Sequence, residues 1–421
     1  MIRKIVIAIV CCVAGSVYAQ DGTVSPYSYF GIGEFKSVTA VENQAMGGLA
    51  VFSDSIHFNL QNPASLSRLR LTTYGGGGSH KMNNLISASE SQRVGNTNLD
   101  YLSLAFPLAK NLGFGFGVAP FSSVGYNLSR ETTNTSDATV TNVFSGSGGL
   151  NTVFASVGYQ AFKDFSLGAT ASFAFGTIEN QRIQSVENVQ LGTVDLKTSR
   201  LNGLNFKLAA NYTPKISEKY RLHTSVILNT QNDIASENTE TVGSFNATTG
   251  SDAEVINVDL EALGLKKTTI SVPATTTFGI GIGEDKKWFL GAEYSSQALN
   301  GFDLGFLAAD NLVYQDASKF KVGGFFIPNY SSFSKYFERV TYRAGARFGT
   351  TGMIVNNEEI SDFGITFGFG LPLPGSFSNV NVAFEYGKTG TTNAGLVEED
   401  YMKLSIGLSL NDRWFQKRKI N

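Results

Sequence analysis

The sequence predicts an all-β protein: a single transmembrane antiparallel β-barrel of about 14 strands with an N-terminal hatch, or plug, inside the lumen. Three observations favour this fold: segments of strict alternation, connections that alternate in length, and an export-type N-terminus. The alternation is clearest near the end of the chain, where one strand face is formed by Met402, Leu404, Ile406, Leu408 and Leu410. Such an apolar face covers a core in a soluble sandwich or contacts lipid in a membrane barrel.

The composition suits a sheet protein and argues against one class of partner. Of the 421 residues, 16% are charged and 12% are aromatic, and 45 Gly stand against 9 Pro. Low charge with many aromatic residues and glycines is typical of strands joined by tight turns. The 33 basic and 35 acidic residues give a net charge of -2. We therefore expect no nucleic-acid partner, because there is no overall positive field to attract one.

The N-terminus has the order of a cleavable export signal. Basic residues at positions 3 and 4 precede an apolar run over 5–14 and a small-residue stretch over 17–19. We predict a signal peptide over residues 1–19 and a mature chain that starts near Gln20. An anchoring helix is the alternative, but the run is too short for roughly 30 Å of hydrocarbon. Both cysteines lie within this segment, so we expect no disulfide and no cysteine metal site in the mature chain.

Alternating segments bounded by turn residues recur through the rest of the chain. Their number and their lengths, near the ten residues that a tilted membrane strand needs, predict a transmembrane barrel over residues 70–415. Their opposite faces carry glycine and charge, which suits an enclosed lumen better than the water-exposed face of a soluble sandwich. The candidate strands are 71–78, 99–107, 112–120, 150–159, 165–177, 200–212, 219–231, 268–283, 287–297, 318–327, 338–349, 361–371, 378–388 and 401–410.

The connections alternate between short and long. Short links follow residues 107, 161, 213 and 283, whereas long polar links occupy 79–98, 121–149, 178–199, 232–266 and 298–317. Outer-membrane barrels place short turns in the periplasm and long loops outside. We therefore predict the outer membrane of a Gram-negative bacterium as the location, outer-membrane lipid as a partner, and a basic periplasmic tail over 416–421. Aromatic residues near the short turns predict a membrane-boundary belt: Tyr159, Phe162, Phe165, Tyr212, Tyr220, Trp288, Trp414 and Phe415.

Charged residues fall on the inward faces of the second half of the predicted barrel. Glu385 and Lys403 lie on neighbouring candidate strands and are expected to pair. Two interpretations stay open: the charges form a polar passage or a dock for a carboxylate, or they are ion pairs that brace the barrel against its hatch. The predicted lumen ladder consists of Glu293, Lys319, Lys321, Arg343, Arg347, Asp362, Glu385 and Lys403.

Residues 20–69 lack clean alternation and predict the hatch. The stretch GGLAVFSDSIHFNLQNPASL within them resembles the glycine-pair, acidic and Asn-Pro-Ala segment of the FadL/OmpP1/TodX outer-membrane proteins, and SPYSYFGIG with RWFQKRK resembles the Bacteroidetes branch of that family. The resemblance implies a fourteen-stranded barrel closed by an N-terminal hatch, which takes up hydrophobic molecules such as fatty acids or aromatic hydrocarbons and releases them through a wall opening at a kinked third strand. By the same resemblance, the hatch motif comprises Gly47, Gly48, Asp54, Asn62, Pro63 and Ala64.

The third candidate strand contains residues that permit such a kink. Gly117 lies on the same face as two earlier glycines, and Pro120 removes a ladder donor. These residues are our candidates for a lateral opening. Ordinary curvature of the barrel by glycine is the alternative that stays open.

The sequence offers little chemistry for an enzyme or a cofactor. The three histidines lie far apart with no second metal ligand at suitable spacing, and no nucleophile elbow or phosphate loop stands in a suitable context. We predict a non-enzyme without cofactor or metal that binds a hydrophobic small molecule and carries it passively across the membrane. The alternative is a non-transporting barrel that serves as a subunit or protein partner in an outer-membrane export or assembly complex.

Overall fold

The computed structural model describes residues 22–309 and 311–413. The predicted signal peptide over 1–19, the boundary aromatics Trp414 and Phe415, and the basic tail over 416–421 lie outside these residues. The strands of the described chain are β1(Glu34–Phe35), β2(Thr72–Ile86), β3(Ser91–Ala109), β4(Leu112–Thr133), β5(Thr139–Phe162), β6(Phe165–Val186), β7(Leu191–Tyr212), β8(Tyr220–Asn229), β9(Asn232–Asn246), β10(Asp252–Asn257), β11(Lys267–Val272), β12(Thr275–Glu284), β13(Trp288–Gln297), β14(Leu312–Tyr314), β15(Ala317–Phe326), β16(Thr341–Val355), β17(Glu358–Pro372), β18(Asn379–Thr389) and β19(Glu398–Asp412).

These strands form one closed antiparallel barrel with a wall of 14 strands, which confirms the predicted fold. Several wall strands consist of consecutive pieces. β8 and β9 run one after the other along β7, and β11 and β12 return along β9 and β8. β14 and β15 both pair with β16. The ring closes where β19 pairs with β2, with Met402 opposite Met82.

The strands in the first half of the barrel are much longer than the sequence predicts. β4, β6 and β7 each have 22 residues and β5 has 24. The long polar links predicted over 79–98, 121–149, 178–199 and 232–266 are mostly strand, so the prediction that wall strands end before these segments was wrong. Beyond the membrane the strands contact water instead of lipid, so they need no apolar face. Serine, threonine and asparagine continue the backbone ladder there, and the alternation that marks a membrane strand is absent.

The outer surface has the predicted apolar face. Met402, Ile406 and Leu410 are 64%, 51% and 44% exposed, whereas Ser405 and Ser409 between them are buried. A side chain that no other part of a membrane barrel covers contacts acyl chains. Near the short turns, Phe162 is 73% exposed and belongs to the predicted aromatic boundary.

A large apolar cluster fills the inside of the barrel next to β4–β7, β9 and β11, in the half away from the short turns. It joins wall residues to Ile32 of the N-terminal segment and to the segment before β14. Its fully buried members include Ile32, Val124, Leu150, Ile178, Leu201, Ile234 and Ile270. Of the described helices, none has the length and apolarity needed to cross a membrane.

Candidate functional site in the barrel lumen

Residues 22–71, here called the hatch segment, lie inside the barrel. They contain short helical turns rather than wall strands, at Pro26–Tyr29, Val41–Gln44 and Pro63–Arg68. These turns contact strands on all sides of the ring: Pro63–Arg68 packs on β4 to β7, and Val41–Gln44 packs on β17 to β19. A segment that touches opposite sides of a closed ring occupies its lumen.

Inner-wall glycines let the backbone of the hatch segment approach the wall. A Cβ atom at Gly168 would lie 2.2 Å from the amide nitrogen of Ala64, and one at Gly345 would lie 2.3 Å from that of Gly47. At Gly113 it would lie 2.1 Å from the carbonyl oxygen of Leu66. Any larger side chain at these positions would displace the backbone of the hatch segment, since real Cβ contacts do not approach so closely.

The glycine pair of the hatch motif forms a turn against the wall. Gly47 and Gly48 have φ angles of +70° and +80°, a conformation that favours glycine. The amide of Gly47 donates a hydrogen bond to Oγ1 of Thr366 at 2.8 Å. The Gly48 carbonyl oxygen accepts a hydrogen bond from Nζ of Lys321 at 2.9 Å.

The Asn-Pro-Ala part of the motif docks on the opposite wall. Asn62 is fully buried, and its Nδ2 donates to Oδ1 of Asn211 at 2.9 Å. Pro63 is the first residue of the following helical turn, where a missing amide hydrogen has no cost. Ala64 is fully buried and packs with Ala209 and Ile227.

Asp54 is paired with His57 within the hatch segment. Oδ2 of Asp54 lies 2.5 Å from Nδ1 of His57, and Oδ1 accepts hydrogen bonds from the amides of Ile56 and His57. Burial alone would raise the pKa of Asp54, but the His57 charge and these hydrogen bonds lower it to about 2. For His57 burial acts in the opposite direction and lowers the pKa. The attraction of the Asp54 carboxylate outweighs this effect, so the pKa of His57 is raised.

Glu293 of β13 connects the wall to the hatch segment. Its Oε1 accepts hydrogen bonds from the amides of Ala50 and Val51, at 2.5 and 2.6 Å. Nζ of Lys321 lies 3.6 Å from Oε2 of the same carboxylate. Since Lys321 also bonds to Gly48, the pair holds both ends of the segment 48–51.

The other predicted ladder residues form a second network. Arg347 contacts Asp362 at 3.2 Å and Glu385 at 2.6 Å, and Lys319 contacts Asp362 at 3.1 Å. Arg343 lies apart from them and donates to Oδ1 of Asn381 at 3.0 Å.

The expected pairing of Glu385 with Lys403 was only half right. They lie opposite each other in the β18–β19 ladder. The ion pairs, however, join Glu385 to Arg347, and Lys403 to Asp100 at 3.8 Å. The guanidinium of Arg347, on β16, reaches past β17 to the carboxylate of Glu385 on β18.

The wall splits between β3 and β4. Their ladder ends at Leu102 opposite Val118, although β3 begins at Ser91 and β4 continues to Thr133. Gly117 and Pro120 lie where the strands separate, and the register of β4 against β5 shifts between Pro120 and Ser122.

The hatch segment covers part of this wall split. β1 pairs with β4 there, with Glu34 opposite Ser123. The ring of Phe35, which is 49% exposed, packs edge-on against Phe121 at 5.7 Å. A two-residue strand, one aromatic contact, a hydrogen bond from the Lys36 amide to the Phe121 carbonyl oxygen and the turn Pro26–Tyr29 thus occupy the place of a full wall ladder.

A cavity of about 1030 Å³ lies between the hatch segment and the wall. Leu99 and Pro120, on the two sides of the wall split, both line it. The lumen cavity therefore reaches the place where the wall is open.

Lys207 of β7 is a lumen residue that the sequence reasoning missed. It lines the cavity, and its Nζ lies 3.5 Å from the carbonyl oxygen of Leu60. Its ladder neighbours are Thr170 and Asn229, neither of them acidic. The other cations that line the cavity have carboxylate partners among the described residues: Lys36, Lys81, Lys319, Lys321, Arg347 and Lys403.

A family model places the chain among known proteins. The model named BamG matches residues 1–421. The chain belongs to the BamG family. No curated protein sequence matches it.

Solved structures show the same fold as this BamG-family chain. The Pseudomonas putida toluene transporter TodX is 15% identical with a TM-score of 0.54, covering 90% of this chain and 98% of its own. The CymD monoaromatic hydrocarbon channel and a Pseudomonas aeruginosa FadL homologue are 12% and 11% identical, each with a TM-score of 0.54 and covering 89% of this chain and 98% of their own. The predicted FadL-type fold is confirmed, and this likeness concerns the fold. Among the described residues, no group of three or more His, Cys, Asp or Glu side chains could hold a metal ion.

Proposed function

We propose that this BamG-family barrel binds a hydrophobic small molecule, fatty-acid-like or aromatic, and lets it pass the outer membrane of a Gram-negative bacterium by diffusion. The observation that carries this proposal is the continuity between the lumen cavity and the wall split. An apolar molecule that leaves through a gap in the wall enters acyl chains without crossing water. The FadL-type fold supports the same function, since its solved relatives include a toluene transporter and a hydrocarbon channel.

In this proposal Gly117 and Pro120 provide the lateral opening, and residues 20–69 act as the hatch of a barrel over 70–415. The opening requires that β1 leaves the edge of β4. That edge contact consists of two residue pairs, the Phe35–Phe121 ring contact and hydrogen bonds that join Lys36 to Phe121 and Gly125 to Ser28, which is less to break than a wall ladder. We further propose that residues 1–19 are cleaved on export, because they have the residue order of a signal peptide.

Lys207 gives the cavity a preferred position for a carboxylate. An ammonium without a carboxylate partner in a largely enclosed site favours an anionic group beside it. The predicted ladder residues already pair with one another or with the hatch segment, which supports their role as braces rather than as a dock. A fatty acid would place its carboxylate at Lys207 and its chain towards the wall split.

Uptake across the wall split can be tested with two leucines of β3. Leu99 lines the cavity at the split, whereas Leu102 lies in the last paired position and is 48% exposed on the outer face. We expect Leu99→Trp to slow uptake of a labelled aromatic hydrocarbon and of a labelled long-chain fatty acid in cells. Leu102→Trp is the matched control and should leave uptake unchanged. Equal uptake by both variants and the wild type would exclude the lateral path.

A specific observation favours a second candidate function. The hatch segment is docked against wall glycines and buried carboxylates on opposite sides of the ring, and this docking needs no ligand. A permanently plugged barrel would instead serve as a subunit of an outer-membrane export or assembly complex. Purification under mild conditions separates the two: a stoichiometric protein partner together with no binding of any apolar ligand would favour the subunit role.

A further inference from the structure

The turn between β15 and β16 carries unusually exposed aromatic rings at the short-turn end of the barrel. Phe333 is 101% exposed and Phe337 is 75% exposed, and Tyr330 adds a third ring at 43%. Removing a phenylalanine ring from water is favourable in proportion to the apolar area that is covered. A group of aromatic rings with this exposure therefore indicates a site that another surface covers.

A hydrogen bond fixes where this turn lies. Tyr342, on the outer face of β16, donates from its hydroxyl to the carbonyl oxygen of Phe337 at 3.2 Å. The ring of Tyr342 also packs edge-on against Phe369 at 5.8 Å, next to the exposed, lipid-facing Phe367. The backbone at Phe337 is thus held beside the outer wall of the barrel and not beneath the lumen.

Cations accompany the rings. Nζ of Lys286, in the adjacent turn, lies 4.9 Å from the centre of the Tyr330 ring, and the Arg339 guanidinium lies 5.5 Å from that of Tyr336. On the other side, Phe377 in the next turn is 53% exposed. Aromatic rings mixed with Lys and Arg at the edge of an apolar band are typical of the boundary between acyl chains and headgroups. Anionic headgroups attract such cations.

We propose that the turn over 327–339 is an interfacial anchor, with Phe333 and Phe337 inserted into the phospholipid leaflet on the short-turn side of the membrane. The occupant of this surface is lipid, because the turn continues the lipid-facing wall through Tyr342. The proposed anchor lies on the outside of the barrel, so its test does not depend on whether the lumen transports a molecule.

Tryptophan fluorescence tests the anchor directly. In a background with Trp288→Phe and Trp414→Phe, single variants Phe333→Trp and Phe337→Trp are reconstituted into phosphatidylcholine–phosphatidylglycerol vesicles with and without brominated acyl chains. We expect blue-shifted emission and strong quenching by the brominated chains. Glu218→Trp, in the polar turn between β7 and β8, is the matched control and should show water-like, unquenched emission.

Water-like emission without quenching at both positions, in barrels that keep their folded mobility on gels, would overturn the anchor. That result would leave a periplasmic protein as the occupant of the exposed rings. Quenching at positions 333 and 337 but not at 218 would establish the lipid contact. Neither ring supports the barrel through packing that a tryptophan would disrupt, since both are largely bare.

Discussion

Oε1 of Glu293 lies 2.6 Å from the amide nitrogen of Val51, so that a wall carboxylate is bonded directly to the backbone of the hatch segment. The same oxygen bonds to Ala50, and Lys321 completes the arrangement. Glu293 is 1% exposed. A buried carboxylate that accepts two amide hydrogens makes a docking point that is both strong and dependent on its charge.

Glu293→Gln should loosen the hatch segment. The neutral amide keeps one acceptor but loses the charge that strengthens both bonds, at a cost of about 1.5–3 kcal/mol. Hydrogen exchange measured by mass spectrometry should show faster exchange of amides 50 and 51. The control is Glu284→Gln, which breaks only the partly exposed pair with Lys287 and should change little. Unchanged exchange at 50 and 51 would remove Glu293 as the docking point.

Gly168→Ala should displace the hatch segment, because the added Cβ would meet the backbone of Ala64 at 2.2 Å. We expect greater cleavage of the hatch by added protease and measurable ion conductance in planar bilayers. Gly76→Ala adds the same atom where the nearest neighbour is a flexible Leu102 methyl at 3.3 Å, and should resemble the wild type. Conductance that rises equally in both variants would contradict a specific role for the glycine contact.

The Asp54–His57 pair should make docking of the hatch segment pH-dependent. The lowered pKa of Asp54, about 2, and the raised pKa of His57 keep both groups charged between these values. A raised histidine pKa contributes stability at low pH that is lost as pH rises through the folded-state value. Protection of amides 56 and 57, corrected for intrinsic exchange, should therefore fall as the pH rises through the raised folded-state pKa of His57.

His57→Gln provides the check on this pH dependence. The glutamine variant should lose it and be less protected throughout the acidic range. His80→Gln, at an exposed position in the β2–β3 hairpin, is the control and should behave as the wild type. A pH dependence that survives in His57→Gln would assign it to other groups.

Lys207→Met should weaken binding of fatty acids but not of hydrocarbons. Loss of a hydrogen bond to a charged group costs about 1.5–3 kcal/mol, or roughly 10- to 100-fold in Kd. Binding is measured by calorimetry in detergent with a long-chain fatty acid and with a neutral aromatic hydrocarbon. Lys197→Met removes a cation paired with Glu240 outside the cavity and should affect neither ligand. Equal weakening for both ligands would indicate a packing effect.

The strand count and the lipid-facing side followed from the sequence because lipid imposes a strict alternation on Met402 to Leu410 and its counterparts. The extents of β4 to β7 did not, since the polar hairpins beyond the membrane lack that constraint. The Gly-Phe-Gly-Phe-Gly run of β4 was interpreted as curvature or a kink. Gly113 and Gly115 instead face Leu66 and Phe58 of the hatch segment.

The pairing of charges could not be predicted from neighbouring strands alone. Arg347 reaches Glu385 across two ladders, which strand order without side-chain lengths does not reveal. Lys207 lies at an inward-facing position of its strand, as the charged residues of the predicted lumen ladder do. Its strand alternates clearly, with Leu204, Phe206 and Leu208 exposed on the opposite face, but the lack of an acidic ladder neighbour becomes visible only once β8 is known to pair with β7.

The seam between β2 and β19 has a consequence for assembly. It joins residues 72–86 to residues 398–412, nearly the whole length of the chain apart, and each of its residue pairs depends on the last strand. Contacts so distant in sequence form late, because their loop-closure entropy is not recovered earlier. The hatch segment, which lies inside the ring, is therefore enclosed at the step in which β19 pairs with β2.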